Sequence, residues 1–388
     1  MLNNDLYSKP ITLENITKIW YIVRKTCKNK RAVETFALNE NTNLLNIYNI
    51  LKSNSYIPGR FILFVILRPK PRLVMSQSIT DKIVNHFVAN YYLTPLLSKK
   101  LIDQNVATRK GYGTSYALKY IKDYLNSLIQ NSNDNIYCLK LDIKKYFYNI
   151  NHEILLNKLK KDIKDNNIVN IIKAIISETN KPYINEFIDI YNNNFKLDIP
   201  YYTKDTGLSI GAQSSQFLAI YFLNDLDHYI KEILKCKYYI RYQDDMVIFD
   251  NDKDRLKLVW NKVKSILNKE YLDLNKKSNI YNMKNGISFL GYNYKVINNK
   301  LYINYNKKTY KRINNKLKYL FNNKIDNYYK SYASYYGYLS YINKNIVRNF
   351  IMNSNEKYEF LKEKYNNYVI IIKDKGFYNV YNDDAIII

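Results

Sequence analysis

The spacing of apolar and polar positions along the chain predicts helices and strands in alternation. Apolar residues recur at helical spacing over residues 11–25, and a second, capped helix is predicted over 42–53. Residues 61–67 are β-branched and aromatic, which is typical of a strand, and Pro69 and Pro71 then interrupt the chain. This part of the sequence therefore predicts two helices followed by a strand.

The predicted alternation of strands and helices continues towards the C-terminus. Two strands over 237–241 and 246–250 flank four residues, which is the pattern of a β-hairpin. Alternating strands and helices predict an α+β fold, with an antiparallel or mixed sheet backed by helices. The other predicted elements are helices over 79–97, over 114–130, from about His152, within 201–230 and over 256–270, a strand over 136–141, a strand pair over 287–294, and a basic, helical and tyrosine-rich region from about residue 300.

Composition narrows the class of protein. Hydrophobic residues make up 47% of the 388, which is enough for a sizeable core, and the formal net charge of +26 favours a polyanionic partner such as nucleic acid. Part of that charge follows from a Lys-, Asn-, Ile- and Tyr-rich composition of the kind that AT-rich genomes encode. The start of the chain does not resemble a signal peptide, and the run 61–67 is too short to span a bilayer. Three scattered cysteines fit a reducing compartment, so we expect a soluble, cytoplasmic protein.

Three acidic residues carry the candidate chemistry. Asp244 and Asp245 lie at the tip of the predicted hairpin, and Asp142 ends the apolar strand 136–141. Aspartate is also a common turn residue, so the pair alone has an ordinary structural interpretation. Neighbouring strands would bring Asp142 next to Asp244, and like charges held so close need a cation. Hard oxygen ligands at this density suit Mg²⁺, and two such ions can promote phosphoryl transfer.

Short motifs in a fixed order resemble those of reverse transcriptases. Residues 142–147, Asp-Ile-Lys-Lys-Tyr-Phe, resemble the first palm motif of that family, and 242–245, Tyr-Gln-Asp-Asp, resemble its Tyr-x-Asp-Asp motif. Residues 207–216 resemble the loop and helix that contact the template and the incoming nucleotide. Further similarities are at 68–72 and 109–114, which resemble fingers motifs, at 274–278, which resembles a later palm motif, and at 289–292, which resembles the primer grip.

The resemblance implies a right-hand polymerase with fingers, a palm with a ferredoxin-like antiparallel sheet, and a helical thumb. The implied divisions are an N-terminal helical extension over 1–58, fingers over 59–135, a catalytic palm over 136–298, a thumb over 299–365 and a β-hairpin-like tail over 366–388. Asp142 and Asp244 would hold two Mg²⁺ ions, for which Mn²⁺ is a possible substitute, with Asp245 in support. Ile143 would offer its backbone carbonyl to a metal.

The resemblance also implies residues for the nucleotide and the primer. Phe147 would close the space beside the sugar 2′ carbon, which selects deoxynucleotides over ribonucleotides. At Ile210 many relatives carry Gln, so the hydrogen bond that aligns the nucleotide is missing here. His86, His152 and His228 share no ligand spacing and are interpreted as structural or surface residues. The predicted nucleotide-binding residues are Lys70, Arg72, Arg109, Lys110, Phe147, Ile210, Gly211, Gln216 and Lys277, and the predicted primer grip is Phe289, Leu290, Gly291 and Tyr292.

Residues 209–216 and 220–227 look like those of prokaryotic stand-alone enzymes rather than retroviral ones. These include diversity-generating retroelements, group II introns and unassigned groups tied to antiphage defence, whereas the thumb residues argue against retrons. We favour a defence-associated enzyme, with the diversity-generating type second. The implied partners are a dedicated structured non-coding RNA as template, deoxynucleotides and the DNA product, with a homo-oligomer or accessory protein left open and no membrane. A polymerase that makes RNA and a catalytically inactive RNA-binding module are the competing functions.

Overall fold

The computed structural model describes residues 10–67, 70–131, 135–323, 328–342, 358, 361–362, 367–374, 377–381 and 384–387. Arg68 and Pro69 of the first predicted fingers motif lie outside these ranges, as does part of the predicted thumb. The chain divides into two compact units, Met1–Asn282 and Met283–Ile388. No helix within the described ranges is long and apolar enough to cross a membrane.

The first unit begins with helices that pack on one another through an apolar core. Trp20 is fully buried and packs against Phe36, with ring centroids 4.5 Å apart. Thr12 and Asn29 cap two of these helices by accepting hydrogen bonds from backbone N–H groups. The helices are α1 (Leu13–Thr26), α2 (Lys30–Leu38), α3 (Glu40–Lys52) and α4 (Ile79–Val88), of which α2 was not predicted.

A hairpin and a long interrupted helix follow the first helices. Strands β1 (Ile62–Ile66) and β2 (Arg72–Ser76) pair antiparallel. The first of them is the strand that the apolar run 61–67 predicted. The single helix predicted over 79–97 is α4 followed by a π-helical segment, Ala89–Leu97, that contains Pro95. Proline has no N–H to donate, so the regular α-helical bonding cannot continue through it.

A four-stranded antiparallel sheet forms the centre of the first unit. Its strand order is β4-β5-β3-β6, and the predicted α+β class is confirmed. Helix α12 packs against β3, β5 and β6, and α5 packs against β4 and β5. The strands are β3 (Tyr137–Asp142), β4 (Tyr238–Tyr242), β5 (Asp245–Asp250) and β6 (Asn279–Asn282), and the two helices are α5 (Thr114–Asn131) and α12 (Lys253–Lys269).

Several helices connect the strands of this sheet. The long helix expected within 201–230 is broken after Phe222 and continues in shorter segments. The segments 166–177 and 182–195 are helices that the sequence analysis did not assign. The helices are α6 (Tyr146–Asn149), α7 (His152–Asp162), α8 (Asn166–Ser177), α9 (Pro182–Phe195), α10 (Gln213–Phe222) and α11 (Asn224–His228), with a π-helical segment at Tyr229–Ile233.

The described residues of the second unit form a three-stranded sheet, three helices and a small C-terminal hairpin. The predicted strand pair over 287–294 is present, and a third strand forms at the start of the region expected to be helical. Side chains of this third strand alternate between exposed and half-buried, which is the period of a strand. The elements are β7 (Ile287–Phe289), β8 (Tyr292–Ile297), β9 (Lys300–Tyr305), α13 (Lys307–Asn322), α14 (Tyr328–Ser340), β10 (Ile371–Asp374), β11 (Phe377–Val380) and α15 (Asp384–Ile387).

Candidate active site

The three acidic residues lie together at one end of the central sheet. Asp142 is the last residue of β3 and lies directly opposite Asp245, the first residue of β5. Asp244 precedes Asp245 in the turn of the β4–β5 hairpin. The expected neighbour of Asp142 was Asp244, but β3 pairs with β5 and not β4, so its cross-strand partner is Asp245. Opposite residues of paired strands project from the same face, so Asp142 and Asp245 share one.

The turn between β4 and β5 is shorter than the four residues predicted. The strands reach Tyr242 and Asp245, which leaves Gln243 and Asp244 between them. Gln243 has a φ of 56°, a left-handed conformation that tight hairpin turns require. Its side-chain amide donates to the Thr108 hydroxyl oxygen over 2.7 Å. The short turn fixes where Asp244 is presented.

A buried ion pair supports this turn from beneath. Arg241 and Asp227 have fully buried side chains, and the Arg241 Nε donates to Asp227 over 2.7 Å. The Arg241 Nη1 donates to the Gln243 carbonyl oxygen over 2.8 Å. Tyr239 donates to the same Asp227 carboxylate over 2.6 Å. The guanidinium therefore connects α11 to the backbone of the acidic turn.

The end of β3 is held by the segment that follows α12. The Asp142 N–H donates to the Ser278 hydroxyl oxygen over 3.1 Å, and the Asn275 N–H donates to the Asp142 carbonyl over 2.7 Å. Ile143 is buried and bridges to Leu274. The motif over 274–278 thus fixes the backbone that carries Asp142.

The carboxyl groups are partly buried and repel one another. Burial raises the pKa of each of the three carboxyls. The negative charge of Asp142 raises the pKa of Asp244 further, and the charges of Asp244 and Asp142 contribute to a pKa of about 6 for Asp245. Such an arrangement is stabilised by any cation that approaches it.

Basic side chains offset part of this negative charge. Lys140 lies two residues before Asp142 on β3, and its charge lowers the pKa of both Asp142 and Asp245. Residues two apart in a strand share a face, which places this lysine beside the carboxyls. Other nearby cations whose charges lower the pKa values of these carboxyls are Arg241, under the turn, and the predicted nucleotide ligands Lys70, Arg72 and Lys277.

The loop before α10 docks against β2. The Met75 N–H donates to the Ile210 carbonyl oxygen over 2.9 Å. Gly211 has a φ of 121°, and a Cβ atom there would lie 3.1 Å from the Met75 carbonyl oxygen and 3.2 Å from a Val74 methyl group, so a side chain would not fit without displacement. Ile210 is half-buried, and Gln216 is exposed on α10.

Phe147 lies in the short helix α6, five residues after Asp142. Its ring is half-buried and meets Tyr146 edge-on at 6.0 Å between centroids. Its carbonyl oxygen accepts a bond of 2.7 Å from the Leu208 N–H. Phe147 is therefore tied both to the core and to the loop that leads to Ile210.

Arg109 and Lys110 occupy the basic turn before α5. The Arg109 guanidinium donates to the carbonyl oxygens of Ile102 and Asn105 over 2.8 and 3.1 Å and stacks on Tyr112. Lys110 is exposed. The guanidinium is thus engaged with its own loop, and nucleotide contact by either residue stays a prediction.

The predicted primer grip lies in the second unit, at the turn from β7 to β8. Phe289 and Tyr292 are buried and form a cross-strand pair around Leu290 and Gly291. Tyr338 of α14 donates to the Gly291 carbonyl over 2.8 Å, and a Cβ atom at Gly291 would lie 3.0 Å from the Tyr338 ring. A tyrosine cluster therefore fixes this turn.

The acidic cluster suits a hard divalent cation. No three His, Cys, Asp or Glu side chains among the described residues are arranged as a complete metal-ligand set. Mg²⁺ does not require one, because it binds through one or two carboxylates and keeps waters or substrate phosphates as its other ligands. The paired carboxylates Asp142 and Asp245, with Asp244 beside them, match that donor set.

Sequence patterns did not reveal every residue that supports the site. Arg241 stands in a strand that is otherwise apolar and aromatic, where a charged residue implies a buried partner, and this signal could have identified it. Asp227 lies in the polar helix α11 and gave no such signal. Lys140 could have been found from its alternation with Asp142 on β3. His152, interpreted as structural, is buried and its Nε2 lies 2.7 Å from the Gly207 carbonyl oxygen.

Comparison with known families decides the identity of this fold. A model of the family "Reverse transcriptase (RNA-dependent DNA polymerase)" matches residues 66–294. The chain belongs to this family. The match contains the central sheet and all three acidic residues, and the predicted right-hand polymerase fold is confirmed.

Two individual proteins are similar to parts of this reverse transcriptase chain. The chain is 30% identical over 135 residues to the retron Ec83 reverse transcriptase of Escherichia coli. The aligned region covers 34% of this chain and 38% of that protein. The chain is 25% identical to the putative COX1/OXI3 intron 2 protein of Saccharomyces cerevisiae, with 44% of this chain and 26% of that protein covered. The chain thus matches well under half the length of either relative.

Solved structures with a similar fold include telomerases. One is telomerase from Candida albicans in complex with a fragment of telomeric RNA, at 15% identity and a TM-score of 0.47, covering 81% of this chain and 59% of that one. Another is apo telomerase from Candida tropicalis, at 15% identity and a TM-score of 0.46, covering 68% and 60%. These similarities are too distant to indicate a function.

Proposed function

We propose that this protein is an RNA-directed DNA polymerase that extends a primer with deoxynucleotides on an RNA template. The observation that carries the proposal is the pairing of Asp142 with Asp245 across β3 and β5, with Asp244 beside them, in a member of the reverse transcriptase family. A nucleotidyl transfer needs this concentration of carboxylates at one point to assemble the cations that accompany a triphosphate. A protein that only held RNA would not need it.

Asp142, Asp244 and Asp245, with the backbone carbonyl of Ile143, are the groups that would hold two Mg²⁺ ions. When bound, the ions would supply Lewis acidity at the primer hydroxyl and at the triphosphate, and Mn²⁺ could substitute. The protein holds the carboxylates in place through two elements: the Arg241 guanidinium under the turn and the Ser278 hydroxyl at the end of β3.

Other residues of the chain would bind the nucleotide. Lys70, Arg72 and Lys277 carry positive charge close enough to the carboxyls to alter their pKa values, and we assign them to the triphosphate. Phe147 would lie beside the sugar and exclude a 2′-hydroxyl. We also assign Ile210, Gly211 and Gln216 to contacts with the nucleotide. The primer would be held by Phe289, Leu290, Gly291 and Tyr292.

The proposed reaction is a single displacement at phosphorus. The oxygen of the primer 3′-hydroxyl forms a bond to the α-phosphorus of the deoxynucleotide. The bond from that phosphorus to the oxygen bridging to the β-phosphate breaks, and pyrophosphate leaves with the electron pair. The proton of the hydroxyl passes to solvent, so no oxidant, reductant or further reactant is needed.

The biological role we favour is antiphage defence with a dedicated structured non-coding RNA as template. It rests on the resemblance of residues 209–216 and 220–227 to prokaryotic stand-alone enzymes. The diversity-generating type is second. The similarity to a retron reverse transcriptase makes a retron-type element a further candidate, although the thumb residues argue against it.

Polymerisation with defined substrates tests the proposed activity. Purified protein, stripped of nucleic acid, would be given an RNA template, an annealed DNA primer, Mg²⁺ and labelled deoxynucleotides. We expect primer extension by the wild type and none above background by the Asp244→Asn variant. The matched control is Asp250→Asn, which alters the other end of β5, where Asp250 pairs with Arg255 at 2.9 Å, and which should retain extension.

Two further outcomes separate the alternatives. Extension with ribonucleotides only would replace the proposal by RNA synthesis, and RNA binding by a folded protein that extends nothing with either nucleotide set would favour the inactive module. Sequencing the DNA that co-purifies with the wild type, but not with Asp244→Asn, would identify the template from which it was copied.

A further inference from the structure

A row of adjoining tyrosines runs from the turn before α5 along that helix. Arg109 lies over the Tyr112 ring at 3.8 Å, and Tyr112, Tyr116, Tyr120 and Tyr124 follow one another at centroid distances of 4.6, 4.9 and 5.5 Å. Residues four apart on a helix lie on one face, which creates the row. The row ends on β4, where Tyr124 contacts Tyr238 at 5.3 Å and Lys237 lies over that last ring at 5.2 Å. We call these five tyrosines the tyrosine row.

The tyrosine row begins beside the candidate active site and leads away from it. Thr108, the residue before Arg109, accepts a hydrogen bond from Gln243 in the acidic turn. At the other end, Tyr238 is the first residue of β4, whereas the acidic turn follows the last. The row therefore extends about 13 Å along the edge strand of the sheet, at about 3.3 Å per strand residue.

The tyrosine rings are only partly covered by the protein. Each of the five tyrosines is half-buried rather than enclosed. Neighbouring rings in the row are inclined by 49–76°, so each ring meets the next by an edge, and Arg109 and Lys237 lie over one face of the first and last rings. Partly exposed aromatic faces in sequence are the surface on which successive unpaired bases stack.

Charge around the tyrosine row favours a polyanion. Arg109 and Lys237 stand at its two ends, and Lys110, Lys119 and Lys122 are exposed along the same segment. The acidic groups are the exposed Asp103, which accepts a bond from Tyr112, and Asp123. Cations therefore outnumber carboxylates along the row.

A second aromatic row in the same unit lacks this charge. Phe187, Tyr191 and Phe195 stack along α9 at centroid distances of 4.6 and 5.3 Å. That helix contains Glu186 and Asp189 and no lysine or arginine. The row on α9 thus has no cation within its helix, whereas α5 carries Lys119 and Lys122 among its rings.

We propose that the tyrosine row binds single-stranded RNA, with bases stacked on the tyrosine rings and phosphates paired with the flanking lysines. The RNA class follows from the proposed function, since the unpaired strand next to a reverse transcriptase active site is the template. The surface would guide the unpaired template along the edge of the sheet.

Photo-crosslinking locates the contact without any substitution. The full chain would be irradiated with an oligouridine of about 20 nucleotides that contains 4-thiouridine, and crosslinked peptides would be mapped by mass spectrometry. We expect crosslinks within residues 112–124 and at Tyr238. Crosslinks confined to other segments would overturn the proposal.

Substitutions test the stacking directly. The double variant Tyr116→Leu/Tyr120→Leu keeps apolar volume but removes two rings, and its affinity for the oligouridine should fall by about tenfold or more. Tyr116→Phe/Tyr120→Phe keeps the rings and should bind within about twofold of wild type, given that stacking needs the ring and not the hydroxyl. Tyr191→Leu is the matched control on α9, and circular dichroism would verify that each variant is folded.

The result is separable from failure of the proposed polymerase activity. The Asp244→Asn protein should still crosslink through 112–124, because the row does not depend on that carboxylate. If no variant or wild-type protein makes DNA but the crosslinks persist, the RNA surface stands alone. Wild-type affinity in the Tyr116→Leu/Tyr120→Leu protein would reject the surface, whatever the polymerase assay shows.

Discussion

The position of Phe147 is fixed by its neighbours, and the volume of its ring is what we propose selects the sugar of the nucleotide. Its ring packs edge-on against Tyr146, which is buried and donates a hydrogen bond to the Ala219 carbonyl oxygen. The Phe147 carbonyl in turn holds Leu208. The ring thus packs against a fixed neighbour and its backbone has a fixed partner, which is the rigidity that the proposed steric selection of sugars requires.

We expect Phe147→Val to relax the choice of sugar. The ratio of ribonucleotide to deoxynucleotide incorporation should rise by about tenfold or more, since the loss of ring volume removes the clash with a 2′-hydroxyl. Primer extension with each nucleotide set, measured as kcat/KM, checks this. Phe195→Val on the exposed end of α9 is the control, and an unchanged ratio in Phe147→Val would assign the ring to packing alone.

At the scale of elements, the β4–β5 hairpin depends on an ion pair that lies outside the acidic motif. Arg241 sits in β4 and Asp227 in α11, and both side chains are inaccessible to solvent. A buried charge whose partner is removed costs far more than an exposed one, because it loses water without compensation. The pair is therefore a positioning device for the turn as well as a constraint on the core.

Arg241→Met should lower the free energy of unfolding by about 3–5 kcal/mol, because it leaves Asp227 buried and unpaired. Urea denaturation measures this. The control is Arg255→Met, whose pair with Asp250 is 42% exposed at the arginine and should be worth at most about 1 kcal/mol.

The double variant Arg241→Met/Asp227→Leu separates stability from positioning. It should recover much of the lost stability, since no charge is left unpaired, but not primer extension, because the Gln243 carbonyl has lost its donor. A double variant with wild-type extension would show that the turn holds its conformation without Arg241.

At the scale of the whole molecule, the net charge of +26 should make the affinity for nucleic acid depend on salt concentration. Binding of a polyanion releases condensed counterions, so affinity depends steeply on salt. We expect affinity for an oligouridine to fall by at least about tenfold between 50 and 200 mM KCl, as three or more phosphate contacts imply. Fluorescence anisotropy across this range checks the prediction, and a flat response would mean that the surplus lysines reflect composition rather than binding.

Periodicity predicted the central strands, but not the break in the first long helix or the third strand of the second unit. The strand 136–141 and the hairpin around the acidic pair appear within a residue or two of their predicted ends, because their apolar runs are bounded by polar residues. The helix over 79–97 was predicted as regular, yet from Ala89 it continues as a π-helical segment that contains Pro95. Strand β9 was missed because it was included in the basic, tyrosine-rich region expected to be helical, and pairing with β8 decides its structure.

The candidate site divides in the same way. The order of short motifs identified the acidic residues and the loop around Gly211. Which carboxylate faces Asp142 could not be predicted, because sequence does not give strand order, and β5 rather than β4 lies beside β3.

The sequence by itself determined the chemical groups: three carboxylates, their cations, and the surplus positive charge, all of which are local and countable. Only the tertiary structure decided which of them meet. The pairing of Asp142 with Asp245 and the alignment of the tyrosine row with β4 each join segments more than 100 residues apart in the chain, and the burial of Arg241 against Asp227 joins a strand to a helix. Such contacts depend on strand order and helix packing, which local periodicity does not encode.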